Sequence, residues 1–260
     1  MTMTKRALVR RPGPRLAEGL LTHLERVPVD VDLARRQWEG YVAALAAEGW
    51  ETVEVPPADD CPDAVFVEDT VVMYGDLAVI TRPGADERKP ETAATEATLR
   101  DLGYRIARIE APGTLDGGDV LKHVTPEGGT VWVGLGGRTN AAGLDKLAAH
   151  LAPLGARTVG VPVSLVLHLK SAVTALPDGT VLGYPPLVDD PAGWPEFLAV
   201  PEEPGAHVVV LDPSTVLMST SAPATRALLE DRGLRVVAVD ISEYEKLEGC
   251  VTCLSVRLRD

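Results

Sequence analysis

The most reactive side chains of this sequence lie close together near its C-terminal end. Cys250 and Cys253 form a C-x-x-C pair in the segment GCVTCLS. A zinc site needs four ligands, and the sequence holds no second pair of this kind. A thioredoxin-like pair opens a helix, whereas this pair falls in a β-rich run over residues 249–258. Because side chains alternate along a strand, a spacing of three predicts thiols on opposite faces, one as a nucleophile and the other as a packing residue.

A cysteine nucleophile needs a base, and the sequence has five histidines. Four of them are predicted at the surface or at the margins of strands. His168 differs because it lies in the apolar run LVLHLKS, within a predicted strand over residues 165–176. A lone histidine in such a run is either a structural core residue or a functional one. Its place in its own repeat matches the places of Asp69 and Cys253 in theirs, which favours a functional role.

Two acidic motifs could contact a cationic ligand. In DAVFVEDT, residues 63–70, three carboxylates (Asp63, Glu68 and Asp69) lie in and beside a predicted strand over residues 65–72. Alternation along that strand places Glu68 and Asp69 on opposite faces. A buried acid needs a partner, which is either a cation on a ligand or a salt bridge within the protein.

The second acidic motif is LDGGDVL, residues 115–121, where Asp116 and Asp119 flank two glycines before a predicted strand. Glycines let a backbone approach a ligand closely, but the same pattern also forms a turn with aspartate–backbone hydrogen bonds. Another glycine-rich segment, GLGGRT at residues 134–139, is similar to a dinucleotide-binding loop. It lacks the last glycine of that motif and the acid about 20 residues further on, so no nucleotide site is predicted.

The composition limits the classes of protein that this sequence can encode. The 260 residues include 25 basic and 38 acidic side chains, a formal net charge of −13. This balance argues against a nucleic-acid partner, which needs a basic face, and is compatible with a cationic substrate. Hydrophobic residues make up 45% and charged residues 24%, as in a folded globular protein, and we expect one domain over residues 1–260.

The expected location follows from the cysteines and from the start of the sequence. Three cysteines are too few, and odd in number, for a disulfide framework, which favours a reducing compartment. The basic first residues are followed by no apolar signal segment, and no apolar run approaches the length of a membrane helix. We therefore expect a cytoplasmic protein without membrane contact.

Short elements recur along the chain in the order strand, turn, strand, helix, strand. The repeats begin near Val65, Gly118, Leu165 and Val208, at spacings of about 53, 47 and 43 residues. Such a period is typical of a repeat architecture. The predicted helices cover residues 91–102, 141–154, 194–198 and 224–232, and a turn is predicted over residues 126–129.

The two ends of the chain each hold part of a further repeat. The C-terminal strand over residues 249–258 lacks a second strand and a helix. The N-terminal segment supplies a strand, a helix and a strand over residues 7–10, 32–48 and 51–55. Pairing of the two ends would complete a fifth unit and close a ring, which removes open sheet edges. An ordinary mixed α/β sheet is the alternative.

Six segments, taken in order, resemble the dimethylarginine dimethylaminohydrolases of the guanidine-modifying, pentein-fold superfamily. They are FVEDT (66–70), ITRPGA (80–85), LDGGDVL (115–121), GRTN (137–140), LHLKS (167–171) and LEGCVTCLS (247–255). The resemblance covers nearly the whole chain. It implies an α/β fold, a five-bladed propeller of ββαβ units with pseudo-fivefold symmetry, whose first blade is closed by the N- and C-terminal strands.

The resemblance also implies roles for individual residues. Cys253 matches the nucleophile and His168 the general acid–base group. Asp69 and Asp116 match acids that contact the guanidinium or support the histidine. The matches to the rest of the substrate pocket are Leu20, Asp63, Glu68, Arg82, Arg138 and Leu247, with the two arginines at the α-carboxylate end. Two positions depart from the family pattern, with Glu248 in place of Asp and His207 in place of Asn.

The implied reaction is hydrolysis of Nω-methylated arginines to citrulline and dimethylamine or methylamine, through a covalent thiouronium on the cysteine. It requires no metal and no organic cofactor, and its partner is a small molecule; whether the chain forms a homodimer stays open. An arginine or other guanidine deiminase of the same superfamily would use the same residues. A non-catalytic propeller would need none of them, and a thiol-redox protein would require Cys250 as well as Cys253.

Overall fold

The repeats predicted from the sequence form five separate three-stranded sheets, which we call blades 1 to 5. The computed structural model describes residues 5–125 and 128–258, so part of the turn predicted over residues 126–129 lies outside the described residues. In every blade the middle strand pairs antiparallel with the first strand and parallel with the third. The strands, in that order, are β15 (Val256–Leu258), β1 (Arg6–Val9) and β2 (Glu51–Glu54) in blade 1; β3 (Val71–Tyr74), β4 (Leu77–Ile80) and β5 (Arg105–Arg108) in blade 2; β6 (Val120–Thr125), β7 (Gly128–Leu135) and β8 (Ala156–Pro162) in blade 3; β9 (Val173–Ala175), β10 (Val181–Gly183) and β11 (Phe197–Ala199) in blade 4; and β12 (Val209–Asp212), β13 (Thr215–Ser219) and β14 (Arg235–Val239) in blade 5.

Helices supply the crossovers that parallel strands require. Four blades connect the middle strand to the third through a helix, and two short helices lie elsewhere. Asp30 and Asn140 cap the two longest helices by accepting backbone N–H hydrogen bonds. The helices are α1 (Val31–Ala47), α2 (Thr92–Asp101), α3 (Ala141–Leu151), α4 (Leu169–Ala172), α5 (Pro223–Asp231) and α6 (Ser242–Glu245).

Blade 4 lacks the helix that was predicted over residues 194–198. The connection between β10 and β11 instead contains two 3₁₀ turns, Pro185–Leu187 and Pro191–Gly193, and β11 occupies part of the predicted helix. The sequence of this connection, PPLVDDPAGWPEF, explains the difference. Proline lacks the N–H that an inner helical turn needs and clashes with the preceding turn, so a continuous helix cannot form here.

The buried apolar side chains of the described residues show that the five blades form a closed ring. They fall into five clusters, and each cluster draws from two blades that follow one another. The fifth cluster joins blade 5 to blade 1, so the sequence of cores returns to its start. Members of these shared cores are Leu8 and Val71 (blades 1 and 2), Val79 and Val131 (2 and 3), Leu121 and Val181 (3 and 4), Leu182 and Val216 (4 and 5), and Leu211 and Val9 (5 and 1).

The predicted pairing of the chain ends is confirmed. The C-terminal β15 lies antiparallel to β1, with Arg6 opposite Leu258 and Leu8 opposite Val256. β1 in turn pairs parallel with β2. The five-bladed α/β fold is therefore the one that the spacing and the resemblance predicted. In blade 1, β1 has a partner strand on each side.

Three predicted strands are shorter than expected. In each, the part that carries Asp69, His168 or Cys253 is a turn or a bend instead of a strand. Residues 67–70 form a 3₁₀ turn before β3, residues 165–168 form a bend before α4 and β9, and residues 250–254 form a turn before β15. These runs are apolar because they lie in the packed interior of the ring. A short apolar run does not distinguish a buried strand from a buried turn, which explains the error.

Candidate active site

Four of the predicted site residues occupy equivalent places in different blades. Asp69, Asp116, His168 and Cys253 lie in the irregular segments just before the first strands of blades 2, 3, 4 and 1. All four are buried, between 0% and 6% exposed. The near-fivefold arrangement therefore brings these segments together, although up to 184 residues separate their side chains along the chain.

His168 lies between two carboxylates. Its Nε2 is 2.9 Å from Asp116 Oδ2, and its Nδ1 is 3.7 Å from Asp69 Oδ1. Burial alone would lower the histidine pKa, but the charge of Asp69, the hydrogen bond to Asp116 and the charge of Asp119 together raise the pKa to about 9. The side chain is therefore an imidazolium at neutral pH and can donate a proton.

Asp69 is held in place by Arg88, Gly118 and His168. Its Oδ2 accepts from Arg88 Nη1 at 2.6 Å and its Oδ1 accepts from Gly118 N at 2.8 Å. Burial would raise the pKa of this carboxyl group, but the charges of His168 and Arg88 outweigh burial and hold the pKa well below its usual range. Asp69 is thus a fixed negative charge at the centre of the ring.

The two glycines of the LDGGD motif allow this packing, because a side chain at either would collide with the centre. A Cβ on Gly118 would lie 2.6 Å from His168 Nδ1 and 2.7 Å from Asp69 Oδ1, and one on Gly117 would lie 2.0 Å from Glu68 O. The motif predicted a close approach of its backbone to a ligand. In the structure the backbone of the two glycines instead lies close to Glu68, Asp69 and His168.

The two cysteines of the C-terminal pair are in contact, contrary to the prediction that they point to opposite faces. Their Sγ atoms are 3.3 Å apart. The physical reason is the backbone. Cys253 N donates to Cys250 O at 3.1 Å, which closes a turn, and residues three apart in a turn lie on the same side.

A narrow cavity contains the thiol of Cys253. Its walls include the buried acids Asp63 and Asp69 and the apolar side chains Leu20, Phe66, Leu167 and Leu247. The remaining lining residues are Arg88, Arg138, His168, Glu248 and Gly249. The cavity therefore joins a nucleophilic sulfur, an imidazolium, carboxylates and guanidinium groups in one space.

Arg138 and Asp63 are oriented differently within this cavity. Arg138 Nη1 is buried without a hydrogen-bond partner, at 3.7 Å from Asp116 Oδ2. Asp63 Oδ2 accepts from Leu20 N at 3.1 Å, which ties the first loop to the cavity wall. The cavity thus offers an unused N–H donor on Arg138.

Two predicted pocket residues lie elsewhere. Arg82 donates to Gly113 O at 3.2 Å and is not among the residues that line the cavity. Glu68 forms an ion pair with Lys170 at 2.5 Å and lines a different cavity of about 570 Å³. In both cases the side chain leaves the backbone in a direction that the motif alone does not define. Glu68 still contacts the site through its backbone N–H, which donates to Cys253 O at 3.2 Å.

Sequence reasoning missed two buried residues of the site, Arg88 and Asp119. Arg88 lies on the cavity wall and pairs with Asp69 and with Glu91 at 2.8 Å. Asp119 accepts from Leu169 N at 2.9 Å, the residue after His168, and from Thr139 Oγ1 at 2.6 Å. A basic residue in the polar segment DERKPE gave no signal of burial. Asp119 lies in the LDGGD motif, whose pattern does not define where that side chain points.

Asp69, Asp116 and His168 are also the one group among the described residues with the spacing of metal ligands, with candidate atoms within 4.8 Å of one another. Their carboxylates already accept hydrogen bonds from His168, Arg88, Gly84 and Gly118. The imidazolium and the Arg88 guanidinium supply the positive charge that a metal ion would bring.

The fold and this site define the class of protein. None of the helices in the described residues has the length and apolar character that crossing a membrane requires. The fold is that of the pentein class of α/β propellers: the structure superposes on an arginine dihydrolase domain from cyanobacteria with a TM-score of 0.86 at 21% identity, over 99% of this chain and 98% of that one. It superposes still better on the Pseudomonas aeruginosa dimethylarginine dimethylaminohydrolase, solved as a cysteine-to-serine mutant with citrulline, with a TM-score of 0.89 at 34% identity, over 98% of this chain and 100% of that one.

Sequence comparison identifies the family. The chain is 63% identical to N(G),N(G)-dimethylarginine dimethylaminohydrolase of Streptomyces coelicolor, over 99% of this chain and 98% of the relative. It is 35% identical to the Pseudomonas aeruginosa protein of the same name, over 98% of this chain and all of the relative. No family model matches the sequence. The chain belongs to the dimethylarginine dimethylaminohydrolase family.

Proposed function

We propose that this protein hydrolyses Nω-methylated arginines, asymmetric dimethylarginine and monomethylarginine, to citrulline and dimethylamine or methylamine. The observation that carries the proposal is one cavity that holds the Cys253 thiol, the His168 imidazolium and the Asp69 carboxylate. The name and full-length similarity of the relatives support the same reaction. The enzyme is a hydrolase of C–N bonds in linear amidines.

Recognition of the substrate begins with its charge. A guanidinium is a planar cation, and the buried carboxylates Asp63 and Asp69 on the cavity wall would hold it by charge-assisted hydrogen bonds. Asp116 accepts a hydrogen bond from His168 and therefore acts by orienting and charging that imidazole. At the other end of the substrate, the unpartnered Nη1 of Arg138 is available for the α-carboxylate. Arg88 also lines the cavity, but its donors are engaged by Asp69, Glu91 and two backbone carbonyls, so it fixes Asp69 rather than binding the α-carboxylate.

The nucleophile is activated by the substrate itself. The hydrogen bond with Cys250, burial, and the charges of Cys250, Glu68 and Asp69 raise the pKa of Cys253 well above its usual value. Without substrate the thiol therefore keeps its proton. An arriving guanidinium places a positive charge beside the sulfur and lowers that pKa. The proton then passes to Cys250 Sγ, 3.3 Å away, and the Cys253 thiolate forms next to the carbon that it attacks.

His168 then serves both halves of the reaction. The thiolate adds to the guanidinium carbon, and the imidazolium gives its proton to the departing dimethylamine, which leaves a thiouronium on Cys253. The neutral imidazole next takes a proton from water. The resulting hydroxide adds to the same carbon, the C–S bond breaks, and the added hydroxyl group gives its proton to solvent. Neutral citrulline then leaves, with the thiolate and the imidazolium restored. Asp69 and Asp116 hold the ring in one orientation throughout.

The wider properties of the protein follow the same proposal. We infer a single catalytic domain over residues 1–260, because each hydrophobic core of the ring is shared by two blades and no group of blades has a core of its own. Three free cysteines suit a reducing, cytoplasmic location. The substrate is a small molecule.

The proposal is tested by measuring citrulline formation from asymmetric dimethylarginine, monomethylarginine, arginine and agmatine. We expect turnover of the two methylated arginines, and loss of turnover in Cys253→Ser. Cys61→Ser is the matched control, because it changes a buried cysteine outside the cavity. Brisk turnover of arginine without turnover of its methylated forms would show an arginine deiminase instead.

A further inference from the structure

The Cys250 sulfur forms no bond to the substrate in the proposed hydrolysis, yet it is the nearest reactive group to the nucleophile. Its Sγ lies 3.3 Å from that of Cys253, and both side chains are buried. Cys250 is not among the residues that line the cavity. Among the cysteines of the chain, Cys253 is therefore reached from the cavity, and Cys250 lies directly behind it.

The backbone already has the geometry that a disulfide between these residues needs. The hydrogen bond from Cys253 N to Cys250 O closes a four-residue turn. In such a turn the Cα atoms of the first and last residues, here Cys250 and Cys253, lie within about 7 Å of each other. Disulfides join residues whose Cα atoms are about 4.4–6.8 Å apart, with sulfurs about 2.05 Å apart. Side-chain rotation within the turn can bring the sulfurs together, so no strand of blade 1 has to move.

One sulfur of the pair is also deprotonated, as oxidation by a peroxide requires. One thiol donates its hydrogen to the other sulfur, and this bond lowers the pKa of Cys250 to about 6 despite burial. Thr252 Oγ1 is a further hydrogen-bond partner at 3.2 Å from Cys250 Sγ. The two sulfurs thus share one proton at neutral pH, and a thiolate is the form of cysteine that attacks a peroxide.

We propose that Cys250 makes the active-site thiol a reversible oxidation site, in which a peroxide converts the Cys250–Cys253 pair to an intramolecular disulfide. This inference rests on the proposed function, because it concerns the same nucleophile. The proton that the two sulfurs share passes to Cys250, and the Cys253 thiolate attacks hydrogen peroxide, giving a sulfenic acid and hydroxide. The Cys250 thiol then attacks the sulfenic sulfur and releases water. Overall one thiol, one thiolate and one peroxide give one disulfide, one water and one hydroxide, and an external dithiol reverses the step.

The consequence is protection as well as inactivation. The disulfide removes the nucleophile, so hydrolysis stops. A sulfenic acid with no neighbouring thiol proceeds instead to sulfinic acid, which thiol reductants do not restore. Cys250 therefore decides whether a period of oxidation leaves the enzyme recoverable.

The test treats the intact protein with hydrogen peroxide, removes the oxidant, and measures activity before and after dithiothreitol. In the wild type we expect activity to fall and then to return, a mass decrease of about 2 Da, and a fall from three titratable thiols to one. In Cys250→Ser we expect a comparable fall without recovery and a mass gain of about 32 Da. Each recovery is expressed relative to the starting activity of the same protein.

The controls separate this inference from its alternatives. Cys61→Ser must lose and regain activity as the wild type does, with its titratable thiols falling from two to none, because Cys61 is not part of the turn that holds the pair. Cys250→Ala replaces the serine variant if that one folds poorly. Equal recovery in Cys250→Ser and wild type, or a disulfide mapped to Cys61, would overturn the inference. Thiol counts and masses need no substrate, so a disulfide in a protein inactive on methylated arginines would refute the proposed function alone.

Discussion

At the scale of single residues, the site is a set of charges whose protonation states are fixed by their neighbours. His168 carries a proton because two carboxylates face it, and Cys253 keeps one because anions and a second thiol surround it. The free protein therefore holds an acid and a protonated nucleophile. The positive charge of the substrate is what converts this resting state to a reactive one.

The raised pKa of His168 has a direct kinetic consequence. The leaving amine needs the imidazolium, so kcat/KM for dimethylarginine should decline as the pH rises through about 9, the pKa of His168 in the free protein. The decline approaches tenfold per pH unit because a single proton is lost. A pH–rate profile over pH 6–11 measures it. A profile that falls already near 6.5, the ordinary histidine value, would mean that the neighbouring carboxylates do not hold the proton.

At the scale of elements, the irregular segments before the first strands position the chemistry. Glycines in one segment let it pack against the reactive groups of two others. Aspartates connect the same segments through backbone N–H groups, as Asp119 does for the residue after His168. The strands and helices behind them keep these segments from moving apart.

Gly118 tests this packing. Gly118→Ala should lower kcat on the order of 10²-fold. The new methyl group would collide with His168 and Asp69 and push at least one of them out of its reactive position. The variant should still fold, since the strands lie outside the collision. Gly40→Ala is the matched control, because its Cβ meets nothing within 4 Å and it lies on the exposed face of α1. Steady-state kinetics and circular dichroism on both variants measure the effect. Unchanged kcat in Gly118→Ala would show that the segments are not packed this tightly.

Glu248 fixes the first loop over the cavity. Its Oε1 accepts from Thr22 N at 2.9 Å and from Leu24 N at 2.8 Å, and its own backbone has a φ of 59°. Glu248→Ala should raise KM about tenfold, about 1.4 kcal/mol, because the loop that carries Leu20 loses its anchor.

The conservative variant separates the anchor from other effects of this substitution. Glu248→Gln keeps a carbonyl acceptor for the loop and should change KM much less than Glu248→Ala. Initial-rate measurements over a range of dimethylarginine concentrations give both constants. If KM rose equally in the two variants, the negative charge rather than the loop contact would be the cause.

At the scale of the whole molecule, stability depends on closing the ring. β15 joins the C-terminus to β1, and Leu258 and Val256 belong to the core shared by blades 1 and 2. The last strand also follows directly after the turn that carries Cys253. Closure of the ring and placement of the nucleophile therefore depend on the same few residues.

Truncating a side chain of this strand should weaken the fold. Leu258 is fully buried, so Leu258→Ala should lower the free energy of unfolding by about 2–5 kcal/mol, through lost burial and the cavity left behind. Leu165→Ala, at a leucine that is 44% exposed, should change it by less than about 1 kcal/mol. Urea denaturation of both variants measures the difference. Equal effects would mean that the chain end contributes little to closure.

The repeat, the blade that joins the two chain ends, and most strand and helix positions were predictable from the amino-acid sequence. These depend on local patterns: turn residues, a glycine shortly after each of the four longest helices, and apolar spacing. The sequence also singled out Cys253, His168 and Asp69, because reactive side chains in apolar runs are rare, whereas the role of Asp116 came from the family resemblance.

The contacts between these residues depend on the three-dimensional fold and were not predictable from the sequence. The fold placed Cys250 against Cys253, brought Arg88 rather than Arg82 to the cavity, and paired Glu68 with Lys170. The physical reason is that each of these contacts depends on the direction in which a side chain leaves an irregular backbone. Spacing along a sequence defines that direction in a helix or a strand, but in a turn it is set by packing against segments far away in the chain.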